Sequence, residues 1–267
     1  CTTARAAVTV PGATMQTHYA APLRSADGTV DAARTLDAIR ARGSRTYSYL
    51  IYPKAGYHAE RDWATLPAFL VAARARGIKV TVTLTPPATT STLLQPCSSN
   101  LLKPFGGRYD TWMLELGRLA RRHPNLAAVA MDDYAYSSTK RASTPCPVFA
   151  PGTITRWNGI LTRFAGRPLR VIPVMYLRDI LGGRATYWSI QHEAPEIIWP
   201  YTESGEGLMT EQYAKIKKYA PKTRVHVMVY ATKFRNTVPT PAAVRQEIAT
   251  AHRLRPASVV IYQQRLD

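Results

Sequence analysis

Long apolar runs are missing from this sequence. No stretch of about 18 uninterrupted apolar residues occurs, so no segment reads as a membrane-spanning helix. Acidic residues are scarce, 17 Asp and Glu against 35 Lys and Arg, which leaves a formal charge of +18. The six histidines, His18, His58, His123, His192, His226 and His252, form no HxH or HExxH spacing, so a metallohydrolase ligand set is not expected. There is no Gly-x-Ser-x-Gly elbow and no P-loop, which removes the serine-hydrolase and P-loop nucleotide classes. On this reading no metal and no cofactor is required. The arginines recur at helical spacing in segments such as ARTLDAIRARG and LGRLARRH, without a compact basic block or interleaved stacking aromatics. They read as solvated helix faces, and specific nucleic-acid binding is not expected. The charge still favours anionic partners, among them an anionic glycan or a cell-wall polymer.

Cysteine is also rare, with three in 267 residues. Cys97 and Cys146 fall in long polar loops that would follow neighbouring strands. A disulfide between them is expected, which requires Cα atoms within roughly 4.4–6.8 Å; two free thiols are the alternative. Such a bond belongs to an oxidising compartment. The chain begins with Cys1, without a basic segment leading into an apolar one, and reads as a trimmed product. Cys1 is then either an acylated lipoprotein residue or simply the trimmed end. The expected location is secreted or cell-surface.

What the sequence does have is regular alternation. Amphipathic helical segments (TVDAARTLDAIRARG, DWATLPAFLVAARARG, YDTWMLELGRLARRHPN, ITRWNGILTRFAG, RATYWSIQHE, TEQYAKIKKYAPK, TPAAVRQEIATAHRLRP) are interleaved with short β-branched or aromatic runs. These runs fall at 45–53, 78–87, 126–137, 169–179, 194–204, 223–236 and 257–267, and AAVTVPGATMQTHYA supplies a further strand at the start. Eight βα-type units in about 250 residues indicate an α/β fold of the (β/α)₈ TIM-barrel type, taken as one monomeric domain over 1–267. An open doubly wound sheet would want a Gly-rich turn after the first strand, and VPGATMQTHY has none.

Active sites of such barrels lie at the C-terminal ends of the strands. Here those ends carry Tyr19, Tyr52, Tyr134, Tyr136, Tyr176, Tyr201, Tyr230, Tyr262 and Gln264, with His18, Thr85, Asp179 and Lys233 nearby. Aromatic faces and hydroxyl-pairing groups in a ring suit a sugar site. Asp31, Asp37, Asp62, Asp110, Glu115, Glu211 and Glu247 fall in helices, where capping and dipole pairing account for them. Asp132, Asp133, Asp179, Glu203 and Glu206 remain as strand-end or loop carboxylates. In AAVAMDDYAYS the small Ala128 and Ala130 suit the barrel interior, and Val129 and Met131 the layer under the helices. That parity turns Asp132 inward, sets Asp133 at the rim and returns Tyr134 to the inner face. By the same logic Glu203, two residues beyond Tyr201, is the candidate second carboxylate.

The strand-four motif and VIPVMYLRD resemble secreted (β/α)₈ glycoside hydrolases of the chitinase-like kind, in which an acidic cluster ends strand four and a Met-Tyr pair ends a later strand. Barrel galactosidases, with acids after strands four and six, look similar in placement. The resemblance implies an exported enzyme that cleaves a poly- or oligosaccharide with paired carboxylates, Asp132, Asp133 and Glu203. It departs at one point: chitinase-like motifs end in a proton-donating Glu, whereas this stretch reads Asp132-Asp133-Tyr134-Ala135-Tyr136, so a substrate-assisted mechanism is not carried over. Two other expectations stand beside it, a non-catalytic barrel that binds glycan through its aromatic rim, and a Lys233-dependent aldolase or lyase.

Overall fold

The structure is a computed structural model that describes residues 16–52, 59–85, 104–134, 149–182, 192–203, 206–232, 238–263 and 266. Eight strands are present: β1 Gln16–Tyr19, β2 Thr46–Ile51, β3 Lys79–Leu84, β4 Leu126–Met131, β5 Val171–Pro173, β6 Glu196–Pro200, β7 Arg224–Tyr230 and β8 Ser258–Tyr262. They pair in parallel in the order β5-β4-β3-β2-β1-β8-β7-β6. The two ends of that sheet meet through a Val174–Ile198 bridge, with the Met175 N–H donating to the Ile198 carbonyl at 2.9 Å. The sheet is therefore a nearly closed barrel, as the alternation implies. Seven helices are found among the described residues: α1 Ala32–Ala41, α2 Ala59–Ala75, α3 Tyr109–Arg122, α4 Thr153–Ala165, α5 Leu177–Gly182, α6 Glu206–Tyr219 and α7 Pro241–Arg253.

Because successive strand residues face opposite sides, the barrel has two apolar layers. The inner one holds Tyr19, Leu50, Ala128, Ala130, Ile172, Val174, Ile198, Met228, Tyr230 and Val260, all from strands or residues continuing them. The outer one joins Tyr47, Tyr49, Val129, Met131, Trp199 and Val227 to helical residues such as Leu66, Phe69, Trp112 and Trp157. The expected split of β4, alanines inward and larger residues outward, is what is observed. At the opposite end of the interior from the strand termini, His226 meets Ser258 Oγ at 2.7 Å and Glu196 at 3.0 Å, while Glu196 takes Arg224 at 2.9 Å and Arg170 at 3.2 Å. This polar network closes the barrel floor.

Local signals place the helices. Asp31 caps α1 by accepting from the Arg34 N–H at 3.0 Å, and Gly43, Gly77 and Gly166 follow α1, α2 and α4 in left-handed conformations. The start of α4 is capped from far along the chain: buried Glu193 accepts from the N–H groups of Gly152, Ile154 and Thr155 at 2.6, 2.9 and 3.2 Å. Arg24 forms two bonds of 2.8 Å to fully buried Asp62, tying the loop after β1 to α2. One boundary differs from the sequence expectation. The run 169–179 is strand only through Pro173, and Leu177 to Gly182 wind into α5, with the Asp179 and Ile180 N–H groups donating to the Tyr176 carbonyl.

Helices α3 and α4 approach most closely at Gly117, where an added Cβ would lie 2.8 Å from Phe164 Cβ and 3.1 Å from the Leu161 carbonyl oxygen. Gly159, on α4, has open space at the same position. Gly117→Ala is expected to destabilise, since overpacking costs about 1–3 kcal/mol against a helix-propensity gain of about 1 kcal/mol. Gly159→Ala should keep that gain and stabilise by about 0.5–1 kcal/mol. Urea midpoints of the two variants check this, and a Gly117→Ala protein as stable as Gly159→Ala would contradict the close packing.

Candidate active site

At the C-terminal end of the barrel Tyr19, Tyr230 and Tyr262, the last residues of β1, β7 and β8, meet Asp132 and Tyr176, which follow β4 and β5, and Tyr52 follows the last residue of β2. The rings of Tyr19 and Tyr262 lie 5.2 Å apart and those of Tyr230 and Tyr262 4.9 Å apart. Tyr176 and Tyr230 are joined through their hydroxyls. The Tyr19 hydroxyl donates to Asp132 Oδ2 at 2.7 Å, across 113 residues of chain. The other oxygen of Asp132 accepts from the Asp133 N–H at 3.1 Å. Asp132 is thus held at both oxygens while partly open to the mouth.

Asp133 has φ +44, one of two described non-glycine residues with positive φ. Strict strand alternation would send its side chain to the side opposite Asp132. The left-handed backbone breaks that alternation. The Asp133 charge acts on Tyr19, Tyr176 and Tyr230, all of the inner ring, which sets it in the neighbourhood of Asp132. Such a backbone costs about 1–3 kcal/mol for a non-glycine residue, and Asp tolerates it better than most.

Charge in this pocket is poorly solvated. Burial pushes the Asp132 carboxyl above its ordinary range, against the hydrogen bonds from Tyr19 and the Asp133 N–H, which favour the ionised form. The ring phenols move the same way. Burial raises Tyr19 well above its usual value, with the Asp132 charge next in importance; burial also raises Tyr176 and Tyr230, reinforced by the two aspartates and, for Tyr230, opposed by its hydrogen bond with Tyr176. All three phenols stay protonated at any ordinary pH and can donate hydrogen bonds.

The other residues singled out from the sequence are placed elsewhere. Tyr134 is fully buried in the outer layer and stacks on Phe149 at 5.3 Å, so it does not return to the inner face. The turn at Asp133 shifts the parity that the expectation carried past Asp132. Tyr201 is likewise on the outer side, packed against Trp199 at 5.7 Å. On β6 it is Ile198 that points inward, so Tyr201 takes the opposite face. Glu203 follows Tyr201, is exposed, and has its electrostatic effect on Tyr201 rather than on Asp132. Asp179 lies in the first turn of α5, 3.7 Å from Arg178, and His18 is buried against Ser44 Oγ at 2.6 Å. Tyr136, Gln264, Lys233, Cys1, Cys97 and Cys146 lie outside the described residues. Glu247, which reads as an ordinary helix acid, is half-buried on α7 near Tyr201 and pushed up to about 7 by burial. Nothing in the helical spacing distinguishes it. Among the described residues, no group of three or more His, Cys, Asp or Glu could hold a metal ion.

No protein-family model and no curated protein matches the chain. Solved structures do. A chitinase-like lectin from tamarind superposes with a TM-score of 0.57 at 10% identity, over 95% of each chain. An endocellulase from the archaeon Pyrococcus horikoshii gives 0.56 at 8% identity, over 95% of this chain and 85% of the other. A GH113 β-1,4-mannanase gives 0.53 at 10% identity, over 95% and 89%. At such identities the likeness shows the fold, a (β/α)₈ barrel. The same fold is shared with an N-acetylneuraminate lyase from Aliivibrio salmonicida, at a TM-score of 0.50 and 11% identity over 95% of this chain and 70% of the other.

The burial of Asp132 has a consequence for stability. With its folded-state pKa raised, the native protein holds this proton more tightly than the unfolded chain, so stability from this group falls as pH rises from the unfolded value through the folded one. Asp132→Asn removes that cost. The variant should gain stability over wild type at pH 7 and less or none at pH 4, measured by urea unfolding at both values. A pH-independent loss would contradict the buried-charge account.

Proposed function

We propose that this protein is a glycoside hydrolase that cleaves a poly- or oligosaccharide at the C-terminal mouth of its barrel with Asp132 and Asp133. The observation that carries this reading is the 2.7 Å bond from the Tyr19 hydroxyl to Asp132 within a ring of tyrosines on which the charge of the adjacent Asp133 also acts. Hydrolysis of a glycosidic bond calls for an acid that protonates the leaving oxygen and a base or nucleophile that assists at the sugar carbon. Asp132, kept protonated more readily by burial, suits the acid, and Asp133 suits the second role. Tyr19, Tyr52, Tyr176, Tyr230 and Tyr262 offer ring faces and hydroxyl donors to the sugar. Glu203 is given no part here because it is exposed and its charge acts on Tyr201, in the outer layer. Export to an oxidising or surface location is part of the proposal, resting on the polar loop cysteines; no helix among the described residues is long and apolar enough to cross a membrane.

A binding-only reading is favoured by one observation, the likeness to a chitinase-like lectin over 95% of both chains. A glycan-panel assay separates the two. Release of reducing sugar by wild type, reduced about 10²–10⁴-fold in both Asp132→Asn and Asp133→Asn, is the outcome expected of acid-base residues. Binding of a glycan without release from any substrate would establish the lectin-like alternative. Equal release by wild type and both variants would remove the aspartates from the mechanism.

A further inference from the structure

The opposite end of the barrel has a cleft of about 410 Å³ between the C-terminal turns of α1 and α2 and the starts of β2 and β3. This volume is within the roughly 300–1,000 Å³ range of small-molecule sites. Its lining includes Arg40, Arg45 and Arg76, together with Ser44 and the turn glycines Gly43 and Gly77. Both glycines are left-handed, and a Cβ on Gly77 would meet nothing within 4 Å, so the turns leave the cleft unobstructed.

Arginines at helix ends usually serve the exposed carbonyls there. Here Arg42 and Arg76 do so, Arg76 through a 3.4 Å bond to the Ala72 carbonyl, whereas Arg40 and Arg45 make no such bond among the described residues. Arg42 donates to the Ala38 and Leu266 carbonyls, and the N–H groups of Gly43, Ser44, Gly77 and Ile78 take those of Arg40, Ile39, Arg74 and Ala73. Arg76 pairs with Asp37 at 2.9 Å, the one ion pair at the cleft among the described residues. Arg40 and Arg45 are exposed and meet no carboxylate among the described residues. Ser44 is engaged by His18, which burial and then Arg42 push down to about 3, so His18 stays neutral and adds no charge. Three guanidinium groups against one exposed carboxylate leave an excess of two positive charges around the opening.

We propose that this cleft binds a tetrahedral oxyanion, a phosphate or sulfate group, between Arg40, Arg45 and Arg76. Guanidinium forks match two oxygens of such a group at once, which a diffuse positive surface does not. The site is independent of the sugar-cleaving reading, since it lies at the other end of the barrel. A protein held there by an anionic polymer would keep its tyrosine-lined mouth free.

The test is calorimetric titration of the full chain with inorganic sulfate, inorganic phosphate and a sulfated tetrasaccharide at fixed ionic strength. Wild type is expected to bind saturably. Arg40→Gln/Arg45→Gln should weaken binding about tenfold or more, as expected for lost charge-assisted hydrogen bonds. The exposed pair on α3 gives the control, Arg121→Gln/Arg122→Gln, which removes equal charge and should bind within twofold of wild type. Tighter binding of the tetrasaccharide than of both ions identifies a polymer-borne group, and equal binding a free ion. Absence of saturation, or equal weakening in both variant pairs, overturns the site and leaves only net-charge attraction.

Discussion

The rest of the structure depends on the alternation of side chains along parallel strands that close on themselves. With the Val174–Ile198 bridge joining the sheet ends, every second residue is committed to an interior that solvent reaches only at the two ends. Lower down, Ala128, Ala130, Ile172 and Val260 fill that interior; at the top the same parity delivers Tyr19, Tyr230 and Tyr262. The mouth is therefore built by the same packing rule as the core. Its one departure is the left-handed Asp133, next to the inward-facing Asp132.

Carboxylates are few, and their placement separates those that are fully compensated from one that is not. Glu193 caps α4, Asp62 holds Arg24, and Glu196 anchors His226, Arg170 and Arg224, so each has donors to offset its desolvation. Among the described residues Asp132 has a phenol and one backbone N–H as partners in a ring of tyrosines, and burial dominates its proton affinity. A charge compensated less fully than the structural ones is what acid-base chemistry near neutral pH needs. The basic excess, meanwhile, is spread over helix faces and gathers at the cleft beside Arg40 and Arg45, away from the aspartates.

Much of this is legible in the residues. The strand segments fall within the runs marked by β-branched and aromatic residues, and the glycines after α1, α2 and α4 mark helix ends because only they take left-handed turns without strain. The inward turn of Asp132 follows from the sizes of Ala128, Val129, Ala130 and Met131. Parity fails beyond the strand. Tyr134 and Tyr201 were expected at the mouth and are buried under helices instead, because a turn at Asp133 resets the count in one case and Ile198 fixes the opposite phase in the other. LRD continues an apolar strand in sequence, yet winds into α5, where the Asp179 and Ile180 N–H groups both donate to the Tyr176 carbonyl.

The sequence by itself determined the barrel class, the order of its elements and the acidic end of β4, because periodicity, turn residues and side-chain volume are local properties. The tertiary structure decided which aromatics reach the mouth and that Asp132 meets them there. Those depend on strand phase, on one backbone angle at Asp133 and on contacts such as Tyr19 to Asp132, made between residues 113 positions apart.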